Sequence, residues 1–270
     1  MNEEEAARRL LEAEATATAL EPLTDEWAEL DQKAAMRIQQ RTLAERQRRG
    51  ERLVGLKLGL TSRAKQVRMG IDVPITAFLT NAMAHPYSDG LELSGLVHPR
   101  VEPEIVFVMG KPLRGPGVTA AEALDAVGAV RAGLEVIDSR FKDFRFRLPD
   151  VVADNASAAR FVLGSVVRSP NELDLSTEAC VVEVDGAVVD SATGAAVQGH
   201  PAEALATAAN ALAGEGLGIE AGWIVLTGGM TDAVELHPKT VVRVDFSHLG
   251  SIVLRGLGPG GPDPEESRST

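Results

Sequence analysis

At 270 residues, with 44% hydrophobic and 24% charged residues, the chain can bury a sizeable core in one large domain, or in one domain with a small helical annex. Its formal charge of −12 disfavours nonspecific binding to nucleic acid and to anionic membranes, and an anionic substrate would need a local patch of positive charge. The single cysteine, Cys180, excludes an intrachain disulfide and a Cys-based zinc cage; with an acidic N-terminus and no bilayer-length apolar run, it predicts a cytoplasmic protein with no membrane span.

In chain order, Ala6, Leu10, Ala13, Ala17 and Leu20 form one stripe and predict a helix over 3–20, ended by Pro22. Trp27, Leu30, Ala34 and Ile38 predict a second helix over 25–49, with Gly50 at its C-terminal cap. Residues 1–50 thus read as an N-terminal helical annex that packs on the main body or on another subunit. From Arg52 the period changes: Leu56, Leu58 and Leu60 alternate with Gly55, Lys57 and Gly59, as in a strand. A helix start follows at Thr61-Ser62-Arg63. Residues 101–109 form a strand, and Thr119 with Glu122 makes a capping box for a helix reaching about Arg131. A short strand over 133–137 comes next. Residues 181–189 form a hairpin turning at Asp185-Gly186. Pro201 opens a helix that Gly214 stops, and 223–227 and 240–254 are further strands. The main body spans 51–257, and the Gly-, Pro- and acid-rich stretch 258–270 reads as a disordered tail. Strands that do not alternate regularly with helices favour an α+β fold with a mixed sheet over a doubly wound one.

The most informative run is Val101-Glu102-Pro103-Glu104-Ile105-Val106-Phe107. Side chains two apart on a strand share a face, so Glu102 and Glu104 point together while Val101, Ile105 and Phe107 take the other side. Pro103 has no N–H for a ladder, which suggests an edge or a bulge there. Glu135, inside Gly133-Leu134-Glu135-Val136-Ile137, is a third carboxylate in apolar surroundings. Three carboxylates without clustered histidine or cysteine suit a hard cation, Mg²⁺ or Mn²⁺; the spacing equally fits carboxylates solvated on an exposed face. Lys57 between two glycines leaves room for a ligand beside its ammonium, or is a surface lysine. Ser62 and Arg63 at a helix start fit an anion site or a plain cap. Arg140, Arg160, Asn155 and Ser157 lie in small-polar stretches where arginine could grip a carboxylate. The five histidines are scattered and form no hydrolytic motif.

Taken in order, Gly55 through Ser62, Pro103-Glu104, Glu135 through Arg140, Asp154-Asn155-Ala156-Ser157 and Gly199-His200-Pro201 resemble the 2-keto-4-pentenoate hydratase and 4-oxalocrotonate decarboxylase family, within the fumarylacetoacetate hydrolase superfamily. The resemblance covers roughly 25–256. The decarboxylase branch fits best, on Ser62-Arg63-Ala64-Lys65-Gln66, Ala158-Ala159-Arg160-Phe161-Val162 and Leu226-Thr227-Gly228-Gly229; hydratases tend to carry Gly-Ser at the last position. The resemblance implies a mixed-sheet sandwich or roll and metal ligands Glu102, Glu104 and Glu135. It also implies an active-site lysine at Lys57, with Arg140, Arg160 and Ser157 as catalytic candidates and Ser62, Arg63 and Asn155 on the substrate. The implied reaction is metal-dependent decarboxylation of a small unsaturated 2-oxo dicarboxylic acid. The alternatives are hydration of a 2-hydroxydienoate, or a noncatalytic partner of such a hydratase. A homo-oligomer and a complex with a hydratase are further expectations. One departure stands out: where the family often has an acid, this chain has Asn81.

Overall fold

A computed structural model describes residues 1–62, 66–67, 69–71, 74–87 and 89–259. The chain begins with α1 (Glu3–Thr16), whose first-turn acids Glu3, Glu4 and Glu5 suit the positive end of the helix and whose N-cap Asn2 accepts from the Glu5 N–H. It stops short of the predicted end because Ala17 turns left-handed at φ 49°. The single helix expected over 25–49 is two. Leu23–Glu26 (α2) is one turn; Asp31 then caps a new start by accepting from the Ala34 N–H, giving α3 (Gln32–Arg48). An aspartate satisfies a free helix N–H better as a cap than it serves inside a helix, so the break falls there.

Among the described residues, seven strands form the main sheet. β1 (Leu53–Gly59), β2 (Ile75–Thr80), β4 (Arg100–Met109), β5 (Val127–Ile137), β6 (Ala158–Leu163) and β9 (Ile224–Leu226) lie in the order β2-β1-β9-β4-β5-β6, and β10 (Val234–Glu235) pairs with β4. β1 and β9 run parallel and the other pairs antiparallel, so the sheet is mixed. A second sheet orders β3 (Leu91–Glu92), β12 (Gly250–Leu257), β11 (Val241–Phe246), β7 (Ala179–Val184) and β8 (Ala187–Thr193) as β3-β12-β11-β7-β8. Further helices among the described residues include α4 (Ala120–Asp125), α5 (Leu148–Ala153) and α6 (Pro201–Ala213).

Val101, Ile105, Phe107, Leu134 and Val136 of the first sheet pack with Val182, Val244, Ile252 and Leu254 of the second and with Leu205 of α6 in one core. Burying each such side chain contributes about 1.5–3 kcal/mol. The opposite face of the first sheet meets the N-terminal helices: Ala6, Leu10, Ala35 and Ile38 share a core with Ile75, Ala77, Phe141, Val152 and Ala156. Leu20 stitches this layer to the segment after β5, donating to the Arg140 carbonyl at 2.8 Å and accepting from the Lys142 N–H at 2.9 Å.

Three further expectations shift. The helix from Thr119 ends at Asp125, because Val127 onward joins an eleven-residue strand whose apolar residues reach the core. The stretch 240–254 is two strands folded back at Gly250, where φ is +80°. Pro103 is on an interior strand. β4 meets β10 at Arg100–Val101 and β9 at Val106–Val108, and Pro103 falls in the gap between them. The hairpin turn is as expected, with positive φ at both Asp185 and Gly186. His200 caps α6 through Nδ1, 3.0 Å from the Ala202 nitrogen. The helix start read at 61–65 and the tail residues 260–270 lie outside the described residues, wholly or in part.

Candidate metal centre

The antiparallel register of β4 and β5 sets Glu102 directly opposite Glu135, with Glu104 two residues along on the same face. Like charges facing each other across strands destabilise a sheet. Here they are also buried: Glu104 is 0% and Glu135 1% exposed. One carboxylate oxygen from each of Glu102, Glu104 and Glu135 falls within 4.8 Å of the others.

The gap at Pro103 admits the loop after β9. Thr227 N–H and Oγ1–H donate to the Ile105 carbonyl, Gly228 N–H donates to Glu104 Oε2 at 2.7 Å, and Met230 N–H donates to the Pro103 carbonyl. The two glycines are required by close approach. Gly228 has φ +117°, and a Cβ there would sit 2.0 Å from Thr61 Oγ1; a Cβ on Gly229 would sit 2.8 Å from the Glu102 carboxyl carbon.

Lys57 arrives from β1 and is 3% exposed. Its Nζ lies 2.7 Å from Glu135 Oε1 and donates to the Ala156 carbonyl at 2.8 Å. Burial first, then the Glu135 and Glu102 charges, push the Glu104 carboxyl well above the ordinary carboxylate range, against the Gly228 N–H and Lys57. Burial likewise raises Glu135, with Lys57 pulling it back and Glu102 adding to the rise. Nothing among the described residues donates a hydrogen bond to Glu104 Oε1 or Glu135 Oε2, although both are buried. Unpartnered buried carboxylate oxygens are costly, and oxygen-only donors that converge this closely fit a hard divalent cation. Such an ion, with Lys57, would bring three carboxylates to neutrality.

Arg140, Asn155, Ser157 and Arg160 lie in and around a turn beside Lys57. Arg140, a catalytic candidate in the sequence, has its guanidinium engaged by Asp154 and by backbone carbonyls. Nε lies 2.5 Å from Asp154 Oδ1, Nη2 donates to the Asp154 carbonyl, and Nη1 donates to the carbonyls of Asp138 and Ala158. Burial pushes the Asp154 carboxyl up to about 6, with Arg140 pulling against it. Asn155 is also spoken for. Its Oδ1 accepts from Phe78 N–H at 2.9 Å and its Nδ2 donates to Phe78 O at 3.0 Å. Ser157 Oγ lies 3.4 Å from Asp154 Oδ2, and Arg160 Nη1 donates to the Ala159 carbonyl. Ser62 is half-buried, and Arg63 lies outside the described residues. Asn81 follows the end of β2, where its Oδ1 accepts from the N–H of Arg52, the residue before β1, at 2.6 Å. Five residues of strand, roughly 16 Å, separate that point from Lys57. The Ala156 carbonyl and the Gly228 N–H were not foreseen, since a backbone group carries no residue-type signal. Cys180 is buried, and burial pushes its thiol up to about 11, so it is inert.

The family model described as fumarylacetoacetate (FAA) hydrolase C-terminal matches residues 55–255. The chain belongs to the fumarylacetoacetate hydrolase family. Within the family it is 44% identical over 252 residues to a 4-oxalocrotonate decarboxylase of a Pseudomonas species, covering 93% of this chain and 97% of that protein. It is also 40% identical over 231 residues to a 2-hydroxyhexa-2,4-dienoate hydratase of Comamonas testosteroni, covering 84% and 87%. The solved structure of 4-oxalocrotonate decarboxylase from Pseudomonas putida G7, complexed with magnesium and adipate, superimposes with a TM-score of 0.91 at 38% identity, covering 94% of this chain and 97% of that one. The α+β mixed-sheet fold expected from the sequence is therefore that of this family.

Proposed function

We propose that this chain is a carbon–carbon lyase that decarboxylates 2-oxo-3-hexenedioate (4-oxalocrotonate) to 2-hydroxypenta-2,4-dienoate, with Mg²⁺ or Mn²⁺ held by Glu102, Glu104 and Glu135. The observation that carries the reading is the buried triad beside Lys57, with Glu104 Oε1 and Glu135 Oε2 lacking a hydrogen-bond donor. The 44% identity to a named decarboxylase over nearly the whole chain supports the choice of substrate. The bond that breaks joins the distal carboxylate to a carbon conjugated through the alkene with the 2-oxo group. CO₂ leaves, its bonding electrons move along the chain, and negative charge gathers on the ketone oxygen. A bound divalent cation supplies Lewis-acid stabilisation for charge on such an oxygen. Lys57 adds a buried positive charge at the same place, where low dielectric strengthens its effect. Ser62, Arg63 and Arg160 are the proposed grips for substrate carboxylates. Ser157 and Arg140 serve through the turn they build.

The setting is proposed with it: a cytoplasmic homo-oligomer in meta-cleavage catabolism of aromatic compounds, able to join a 2-hydroxypentadienoate hydratase, with 1–50 as an annex on the catalytic body 51–257. The single buried thiol is consistent with a reducing compartment. Among the described residues no helix is long and apolar enough to cross a membrane. The hydratase-named relatives at 40% identity make dienoate hydration the second reading. Offering both substrates to EDTA-stripped protein with and without Mg²⁺ decides between them. Metal-dependent CO₂ release is expected. Metal-dependent loss of the dienoate chromophore without CO₂ would move the assignment to hydratase.

A further inference from the structure

Three consecutive non-glycine residues, Asn155, Ala156 and Ser157, hold left-handed backbone angles, with φ of 51°, 49° and 59°. L residues other than glycine are strained there, and asparagine tolerates the region best. Strain of this kind persists only where surrounding bonds over-determine it.

The bonds here are specific. The Asn155 amide takes both backbone groups of Phe78, the N–H at 2.9 Å and the carbonyl at 3.0 Å, as a neighbouring strand would. Phe78 sits opposite Leu56 in the β1–β2 ladder, and the next pair is Lys57 with Ala77. The far side of the turn is tied to the strand that bears Glu135: Asp138 N–H donates to the Ser157 carbonyl at 2.8 Å. Between these two anchors the Ala156 carbonyl comes to 2.8 Å from Lys57 Nζ. The result is a closed circuit from Lys57 along β1, across to Phe78, through the Asn155 side chain, and back to the ammonium.

We propose that Asn155 is a positioning residue for Lys57: its amide clamp on Phe78 holds the left-handed turn so that the Ala156 carbonyl shares the ammonium with Glu135. The inference rests on the active-site role given to Lys57 above. Two of the three N–H directions of the ammonium are set by Glu135 Oε1 and the Ala156 carbonyl, which fixes the third. Without the carbonyl, the buried ammonium has Glu135 to turn to, and Lys57 then competes with the cation for that carboxylate. A neutral backbone acceptor orients the lysine without drawing Glu135 away from its ligand position.

The test uses Asn155→Gly and Asn155→Ala in the full chain, beside wild type. Glycine removes the clamp and also the strain at φ 51°, so it separates positioning from backbone relief; alanine removes the clamp and keeps the strain. Three quantities are read: kcat and KM for 2-oxo-3-hexenedioate, Mn²⁺ affinity of the EDTA-stripped protein, and the ¹⁵N–¹H resonance of the Lys57 ammonium, assigned with Lys57→Arg. Asn155→Gly is expected to keep its melting temperature within a few degrees and to lose at least tenfold in kcat. Its KM should change less than threefold, and the Lys57 signal should shift or broaden. Asn155→Ala should lose kcat likewise and melt lower. A wild-type kcat with an unmoved Lys57 resonance in Asn155→Gly would overturn the proposal. So would a fall in kcat in a folded Asn155→Gly protein with the Lys57 resonance unmoved. Failure of the functional reading is seen separately, as a wild-type protein that releases no CO₂.

Discussion

Replacing Glu104 with glutamine separates two effects that a merely structural carboxylate would keep together. One oxygen from each of Glu102, Glu104 and Glu135 lies within 4.8 Å of the others. At that distance two unit charges repel by about 3.5 kcal/mol at an effective dielectric of about 20. Glu104 takes part in two such repulsions, offset in part by attraction to Lys57, so at a pH above its raised value, where it is ionised, removing its charge relieves the metal-free protein by about 3 kcal/mol, the scale of one such repulsion. In a chain of this size that is a rise of about 6 °C in melting temperature. The glutamine oxygen can still accept from the Gly228 N–H, so the loop after β9 keeps its anchor. With metal the sign reverses. Losing one anionic ligand of the same energetic scale weakens Mg²⁺ or Mn²⁺ binding about 100-fold. The assay is calorimetric titration of EDTA-stripped protein with Mn²⁺, paired with melting curves with and without the ion. A Glu104→Gln protein that binds Mn²⁺ like wild type, or that melts lower than wild type when metal-free, would refute the reasoning.

Metal-free protein should lose stability as pH rises. Glu104 and Glu135 titrate above their ordinary 4.5 in the fold, so between that pH and the raised values the folded chain binds more protons than the unfolded one. The stability they lend is complete below 4.5 and is lost as pH climbs through the raised values, with Asp154 at about 6 adding to the slope. Saturating Mg²⁺ should release protons on binding and flatten the pH dependence, as melting curves between pH 5 and 8 would record; a metal-free protein whose stability grows with pH over that range contradicts the site. Arg140→Ala leaves Asp154 buried without its partner and should cost about 3–5 kcal/mol in urea unfolding; a loss of activity with stability unchanged would instead return Arg140 to the substrate. Gly229→Ala puts a Cβ 2.8 Å from the Glu102 carboxyl carbon and should lower Mn²⁺ affinity at least tenfold while Gly95→Ala, at a glycine with open space around it, does not; equal affinities would remove Glu102 from the ligand set.

The sequence exposed the triad because strand alternation and apolar flanks are local properties: Glu102, Glu104 and Glu135 each stand out against the residues beside them. It could not show that Pro103 marks a gap between two neighbours of an interior strand, because that depends on where β9 and β10 end. It also could not show how Arg140 and Asn155 are held. Both residue types bind ligands readily, and their use here on Asp154 and Phe78 depends on partners 14 and 77 positions away. The overlong helix predicted from Asp25 failed on a short-range signal, the capping aspartate Asp31, outweighed in the reading by the apolar period around it.

The most direct test is anomalous diffraction from crystals grown with Mn²⁺ and adipate at pH 7.5. The account predicts one Mn²⁺ peak bridged by Glu102, Glu104 and Glu135, with the Lys57 ammonium still on the Ala156 carbonyl. An empty triad with Lys57 alone between the carboxylates, or Mn²⁺ bound elsewhere on the chain, would contradict it.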